Sequence, residues 1–117
     1  MMKLIITLLL ATTLNGCATA MNNYEQGLQW VETADARADA RAALDKNDFR
    51  LMAVASRSTV IPGIDPARAR QYELHCGVIF MPGVGDTVRS KEQLRLMKKA
   101  YEYAGQYNEI VKQRCQP

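Results

Sequence analysis

The octapeptide Leu74-His75-Cys76-Gly77-Val78-Ile79-Phe80-Met81, followed by Pro82-Gly83, carries the clearest strand pattern in the chain. Its alternating positions form two sets, with Leu74, Cys76, Val78 and Phe80 on one face and His75, Gly77, Ile79 and Met81 on the other. A period of two is typical of a β-strand, and a Pro-Gly pair ends one. We therefore predict a strand from residue 74 to residue 81.

A second extended stretch runs from Phe49 to Ala55, with Leu51 and Ala53 on its apolar face. Ser56-Arg57-Ser58-Thr59 interrupts it, and Val60-Ile61 resumes an extended run that Pro62-Gly63 stops. Asp65-Pro66 then has the pattern of an N-cap followed by the first helical residue, which predicts a short helix to about Tyr72.

The two Pro-Gly turns have similar surroundings. Val60-Ile61-Pro62-Gly63-Ile64-Asp65 resembles Phe80-Met81-Pro82-Gly83-Val84-Gly85-Asp86. Two copies are too few for a repeat architecture. They indicate either the same type of turn leading from a strand to a helix at two places or, if the strands are adjacent, a shallow surface at one end of the sheet.

Helical periodicity flanks this region on both sides. From Tyr24 to about Lys46 small and apolar residues recur every three or four positions, and Asn47 suits a helix end. A second helix is predicted from Lys91 to about Arg114, with Ser90 and Gln93 as its capping box. The predicted fold class is α+β, with a small antiparallel sheet packed against two long helices and a short helix between its strands.

Cys76 and Cys115 both fall on apolar faces, one in the predicted strand and one in the last helix. Apart from Cys17, which lies in the N-terminal segment, the chain has two cysteines. An even number of cysteines in an exported protein favours a disulfide, and a bond between Cys76 and Cys115 would pin that helix to the sheet. Two buried free thiols are the alternative. A metal site is disfavoured because His75 is the sole histidine and the cysteines form no CxxC pair.

The first residues have the parts of an export signal. Met1-Met2-Lys3 is cationic, Leu4 to Leu14 is almost wholly apolar, and Leu14-Asn15-Gly16-Cys17 follows. The apolar run is shorter than the roughly 20 residues of a membrane-spanning helix.

The sequence Leu14-Asn15-Gly16-Cys17 resembles the lipobox of bacterial lipoproteins. The resemblance implies a cleaved signal peptide over residues 1–16, lipidation of Cys17 and a lipidated tether over residues 17–23. The length and the ordinary composition of the rest predict one globular domain over residues 24–117. Ala18, in place of the Asp associated with inner-membrane retention, implies the periplasmic face of the outer membrane.

The distribution of charge suggests which partners the domain could bind. The chain has 117 residues and a formal net charge of +3, and its basic residues concentrate in the last helix, at Arg89, Lys91, Arg95, Lys98, Lys99, Lys112 and Arg114. This basic helix is interpreted as a solvated face, with an anionic partner such as lipid headgroups or cell-wall carboxylates as the sharper alternative.

No catalytic arrangement is predicted, since a Ser-His-Asp triad would have to use His75, and neither a GxSxG nor a phosphate-binding motif is present. We predict a non-catalytic structural or binding role in the cell envelope, without a cofactor. The partners would be the membrane and an envelope protein or the cell wall, and not nucleic acid. The alternative is a periplasmic ligand-binding or enzyme-inhibitor module, and a hydrolase comes third. The candidate binding residues are Arg57, His75, Arg89, Lys98 and Lys99.

Overall fold

The computed structural model describes residues 23–85 and 87–117. The predicted signal peptide, the lipidation site Cys17 and the tether up to residue 22 lie outside the described residues. Among those described, no helix combines the length and the apolar character needed to cross a membrane.

The described chain is mostly helical. In chain order its elements are α1 (Asn23–Gln26), a 3-10 turn (Gln29–Glu32), α2 (Ala36–Asp45), β1 (Leu51–Ala53), a second 3-10 turn (Pro66–Arg68), α3 (Ala69–Cys76), β2 (Val78–Phe80) and α4 (Lys91–Cys115). One helix, α4, is long, with 25 residues. The prediction of two long helices is wrong.

The predicted antiparallel sheet is also wrong, because β1 and β2 form a two-stranded parallel sheet. The register pairs Leu51 with Val78, Met52 with Ile79 and Ala53 with Phe80. The connection between the strands contains α3, which carries the chain back so that β2 starts at the same end as β1. Leu51 and Ala53 are fully buried, as their predicted face requires.

The predicted strand from 74 to 81 is shorter than expected. Residues 74–76 belong to the last turn of α3, and the Gly77 N–H still donates to the Glu73 carbonyl. Gly77 then adopts a φ of 77°, which glycine tolerates far better than other residues, and the strand begins only after it. Leu74 and His75 are therefore exposed helical residues rather than strand residues.

The predicted helix from 24 to 46 divides into α1, a 3-10 turn and α2. Asp35 starts α2, since its carboxylate accepts a hydrogen bond from the Ala38 N–H at 3.2 Å. An N-cap within an alanine-rich pattern begins a new helix. The end predicted at Asn47 is confirmed by its φ of 58°.

The N-terminal cap of α4 is confirmed. The Ser90 hydroxyl accepts a hydrogen bond from the Gln93 N–H at 3.0 Å. The buried Gln93 side chain accepts from the Arg89 N–H at 2.7 Å and donates to the Thr87 carbonyl at 2.8 Å. These bonds fix the segment that enters α4.

Helix α4 lies against two adjoining apolar clusters. The first contains Leu28, Val31, Val54, Met81, Val84, Leu96, Met97, Ala100 and Ala104. The second contains Ala36, Ala40, Leu51, Ala53, Ile61, Tyr72, Tyr107, Val111 and Cys115. Because α4 supplies residues to both clusters, it is the element around which the domain packs.

Cys76 and Cys115 form a disulfide, with their Cα atoms 5.7 Å apart. The bond joins the last residue of α3 to the last residue of α4. It therefore ties α4 to the helix that precedes β2, rather than to the strand itself.

A buried asparagine of α4 closes the outer edge of β1. The Asn108 side-chain oxygen accepts from the Met52 N–H at 2.7 Å, and its NH₂ group donates to the Met52 carbonyl at 3.0 Å and to the Pro62 carbonyl at 2.8 Å. Asn108 is fully buried. Its amide thus takes the place that a neighbouring strand would occupy.

The two Pro-Gly turns share a local solution. The Pro62 carbonyl accepts from Asn108, and the Pro82 carbonyl accepts from the Trp30 indole N–H at 2.9 Å. Each glycine has a positive φ and lies against another glycine, Gly63 against Gly105 and Gly83 against Gly27. Since the turns pack on different elements, they do not form the shared surface that their similarity suggested.

Gly83→Ala is expected to destabilise the domain by about 2–3 kcal/mol. The left-handed backbone at Gly83, with φ of 78°, costs an alanine about 1–2 kcal/mol, and the added Cβ would lie 2.6 Å from the Gly27 carbonyl oxygen. Gly85→Ala is the matched control, because a Cβ there meets nothing within 4 Å. Urea unfolding of both variants measures the difference, and equal midpoints for them would contradict this packing.

Candidate functional site

An open cleft of about 500 Å³ lies between the 56–59 loop and α3. Its rim carries three hydroxyl side chains and two arginines, and its floor is apolar. The residues that line the cleft include Ser56, Arg57, Ser58, Thr59, Ile61, Ile64, Arg70 and Glu73.

A short-range pairing shapes the loop side of this cleft. The Val54 N–H donates to the Val60 carbonyl at 2.8 Å, and the Val60 N–H donates to the Val54 carbonyl at 3.1 Å. This isolated antiparallel bridge closes the loop of residues 55–59. Ile61 then turns into the core, where it is 3% exposed, and leaves the hydroxyl side chains on the rim.

The opposite wall begins with the second 3-10 turn, which leads into α3. The Asp65 carboxylate accepts from the Ala67 N–H at 3.0 Å, which confirms the predicted cap. The helix that follows presents Arg70 and Glu73 to the cleft, and these two side chains form an ion pair at 2.9 Å.

Arg57 is the free cation of the cleft. It forms no ion pair with any of the described residues, whereas the charge of Arg70 is partly neutralised by Glu73. A guanidinium beside hydroxyl groups and an apolar floor suits a ligand that combines a carboxylate or phosphate with a less polar body. The arrangement can bind and orient such a ligand.

The other predicted binding residues lie elsewhere. His75 is exposed on the last turn of α3, and Arg89 lies before α4 with its guanidinium 4.7 Å from the centre of the Tyr24 ring. Lys98 is exposed on α4, and Lys99 forms an ion pair with Glu32 at 2.9 Å. Of the predicted residues, only Arg57 is in the cleft.

The acidic partner of Lys99 has an altered acidity. Hydrogen bonds from Arg95 and Lys99 lower the pKa of the Glu32 carboxyl below its ordinary value. The ionised Glu32 carboxylate forms ion pairs with both Arg95 and Lys99. Lys99 is consequently less available to an external anion than the sequence suggested.

Tyr103 of α4 has a structural role. Tyr103 donates to the Asp39 carboxylate at 2.7 Å and packs edge-on against Trp30, with 5.3 Å between the ring centres. Burial, followed by the hydrogen bond to Asp39, raises the pKa of the Tyr103 hydroxyl. It therefore remains a neutral donor that ties α4 to α2.

The outer edge of β2 is a second exposed feature. The Leu51 N–H donates to the Gly77 carbonyl, and the Met81 N–H donates to the Ala53 carbonyl. In a parallel pair this pattern directs the N–H and carbonyl groups of Val78 and Phe80 away from β1. The Phe80 side chain beside them is 49% exposed.

Arg70 and Glu73 were not predicted as site residues, since neither belongs to a sequence motif and their place in the cleft depends on the position of α3. In the part of the chain that the structure describes, no three His, Cys, Asp or Glu side chains are grouped to hold a metal ion. The chain matches no protein-family model, and no curated protein and no solved structure matches it.

Proposed function

We propose that the protein is a small lipoprotein, anchored by Cys17 in the periplasmic face of the outer membrane, whose folded domain has a non-catalytic binding role. The observation that carries the proposal is the Cys76–Cys115 disulfide downstream of the lipobox-like Leu14-Asn15-Gly16-Cys17. Disulfides persist in oxidising compartments such as the periplasm. The lipobox resemblance implies export and lipidation, which agree with this location.

The cleft is the proposed binding site. Its free Arg57 and its hydroxyl rim favour an acidic ligand, and its apolar floor favours a peptide-like body. In the envelope this chemistry fits a carboxylate-bearing peptide of the cell wall. The domain would then connect the membrane to the wall without changing either covalently.

Arg57→Ala is expected to weaken binding of a soluble, carboxylate-bearing cell-wall peptide by about tenfold, because a charge-assisted hydrogen bond is lost. Calorimetric titration of the full-length protein in detergent micelles measures this effect. Arg114→Ala, at an exposed arginine in the last turn of α4, is the control and should bind like the unchanged protein. Equal binding by the peptide and its amidated form would contradict the proposed role of the carboxylate.

A protein partner is the second candidate, in line with the enzyme-inhibitor module that the sequence offers as an alternative. The outer edge of β2, which no described strand pairs with, favours it, because exposed strand edges accept an added strand from another chain. In-cell crosslinking from photoreactive groups at positions 57 and 80 separates the two candidates. Adducts with cell-wall peptide from position 57 favour the cleft, whereas protein adducts from position 80 alone favour the strand edge.

A further inference from the structure

The solvent face of α4 carries a line of four side chains that no described element covers. Lys91, Leu94, Lys98 and Tyr101 follow one another at spacings of three, four and three residues, which places them on one side of a helix. Leu94 is 41% exposed and Tyr101 is 37% exposed. We name these four residues the α4 stripe.

The charges of the α4 stripe are free. Neither Lys91 nor Lys98 forms an ion pair with a residue that the structure describes, whereas Arg95 binds Glu32 and Glu92, and Lys99 binds Glu32. The carboxylate that flanks the stripe is Glu102, which is also exposed. Two free cations alternating with two exposed apolar side chains match the composition of a helix face that lies on a lipid surface.

The start of α4 lies beside α1, the first described element after the proposed anchor in the chain. The Ser90 hydroxyl donates to the Glu25 carboxylate at 2.7 Å, and Arg89 stacks on Tyr24. These contacts hold α1, which begins at Asn23, beside the entrance to α4. Asn23 follows Cys17 by six residues.

Chain length limits how far the domain can stand from the membrane. Six residues span at most about 22 Å when fully extended. The α4 stripe extends about 15 Å along the helix from Lys91. A lipid anchor at Cys17 therefore keeps the stripe within reach of the headgroups.

We propose that the α4 stripe lies on the anionic phospholipid surface in which Cys17 is anchored. The inference rests on the proposed lipid anchor and adds the orientation of the domain to it. Lysine side chains reach phosphate groups while their stems cover apolar surface, and Leu94 and Tyr101 enter the interface between headgroups and acyl chains. The stripe thereby sets which side of the domain faces the periplasm.

Lysine footprinting of the full-length acylated protein tests this orientation. The protein is reconstituted in vesicles of phosphatidylethanolamine with 30% phosphatidylglycerol (roughly the charge needed for headgroup attraction) or of phosphatidylcholine alone. Acetylation of Lys91 and Lys98 should be about fivefold slower in the anionic vesicles, and high salt should remove the protection. Lys46, which is exposed at the end of α2, is the internal control and should react equally in both.

Three variants sharpen the test. Lys98→Gln should release the stripe, so that Lys91 in anionic vesicles reacts about fivefold faster, whereas Lys46→Gln should leave Lys91 protected. Glu102→Gln should increase the protection, because it removes the neighbouring negative charge. Equal protection of Lys91, Lys98 and Lys46, or the same rates in both kinds of vesicle, would overturn the proposal.

The mass of the same sample separates this inference from the proposed anchor. If the chain carries no acyl groups, the anchor is wrong, and the footprint is repeated with vesicles added to the free chain. Protection of Lys91 and Lys98 would then support lipid contact by the stripe itself. If Lys91 and Lys98 are not protected in that experiment, the inference is overturned as well.

Discussion

Asn108→Ala is expected to lower the free energy of unfolding by about 3–5 kcal/mol. The substitution leaves three buried backbone groups without a partner, namely the N–H and carbonyl of Met52 and the carbonyl of Pro62. An unsatisfied buried polar group costs about 1–3 kcal/mol, and the total approaches the whole stability of a small domain. Urea unfolding followed by circular dichroism measures the loss.

Two further variants separate the hydrogen bonds of Asn108 from its helical position. Gln106→Ala removes an amide from an exposed site on the same helix and should change stability by less than about 0.5 kcal/mol. Asn108→Asp keeps the acceptor for Met52 but places a second oxygen against two carbonyls, and should destabilise at least as much as alanine. A loss below about 1 kcal/mol for Asn108→Ala would contradict the assigned role of the amide.

Reduction of the Cys76–Cys115 disulfide is expected to cost roughly 4 kcal/mol. The bonded residues are 39 positions apart, and a closed loop of this size removes about that much free energy from the unfolded chain in the entropy model. The expected result is a large fall in the urea midpoint when reductant is added. The double variant Cys76→Ala and Cys115→Ala should start at the lower midpoint and respond no further to reductant. A midpoint unaffected by reductant would contradict a stabilising bond.

Both effects act through α4. Asn108 holds the middle of this helix to β1, and Cys115 holds its end to α3. The ion pairs of Arg95 and Lys99 with Glu32 add only modest, salt-sensitive support, since all three side chains are substantially exposed. The buried amide and the covalent bond therefore contribute more to holding the helix than these ion pairs do.

The sequence predicts those parts of the fold that depend on local contacts. The Ser90 cap, the end of a helix at Asn47 and the Asp65 cap each involve side chains and backbone groups within a few residues, and all three are present. These caps need no knowledge of how distant segments meet. The disulfide joins residues 39 positions apart and was predicted from the number of cysteines and from their apolar faces, although Cys76 lies in α3 and not in the predicted strand.

The direction of the strands was not predictable in the same way. Alternation within Leu74-His75-Cys76 looks the same whether the residues continue a strand or end a helix, and the positive φ of Gly77 decided between them. A short helix between the strands was predicted, but the direction in which β2 pairs with β1 is a long-range property that these local patterns do not determine.

The candidate site was predicted in part for a related reason. Arg57 was among the predicted binding residues, but Arg70 and Glu73 reach the cleft only through the position of α3. Asn108 did leave a signal, since it is a polar residue on the apolar stripe of α4. Such a residue indicates a buried hydrogen-bonding partner, although the sequence does not name it.

We propose that an acylated Cys17 anchors a disulfide-bonded domain, and the mass of the intact protein extracted from membranes tests this proposal. We expect a chain that begins at Cys17 with attached acyl groups, and two alkylatable thiols that appear only after reduction. An unacylated chain that retains residues 1–16, or thiols that are alkylated without reduction, would contradict it.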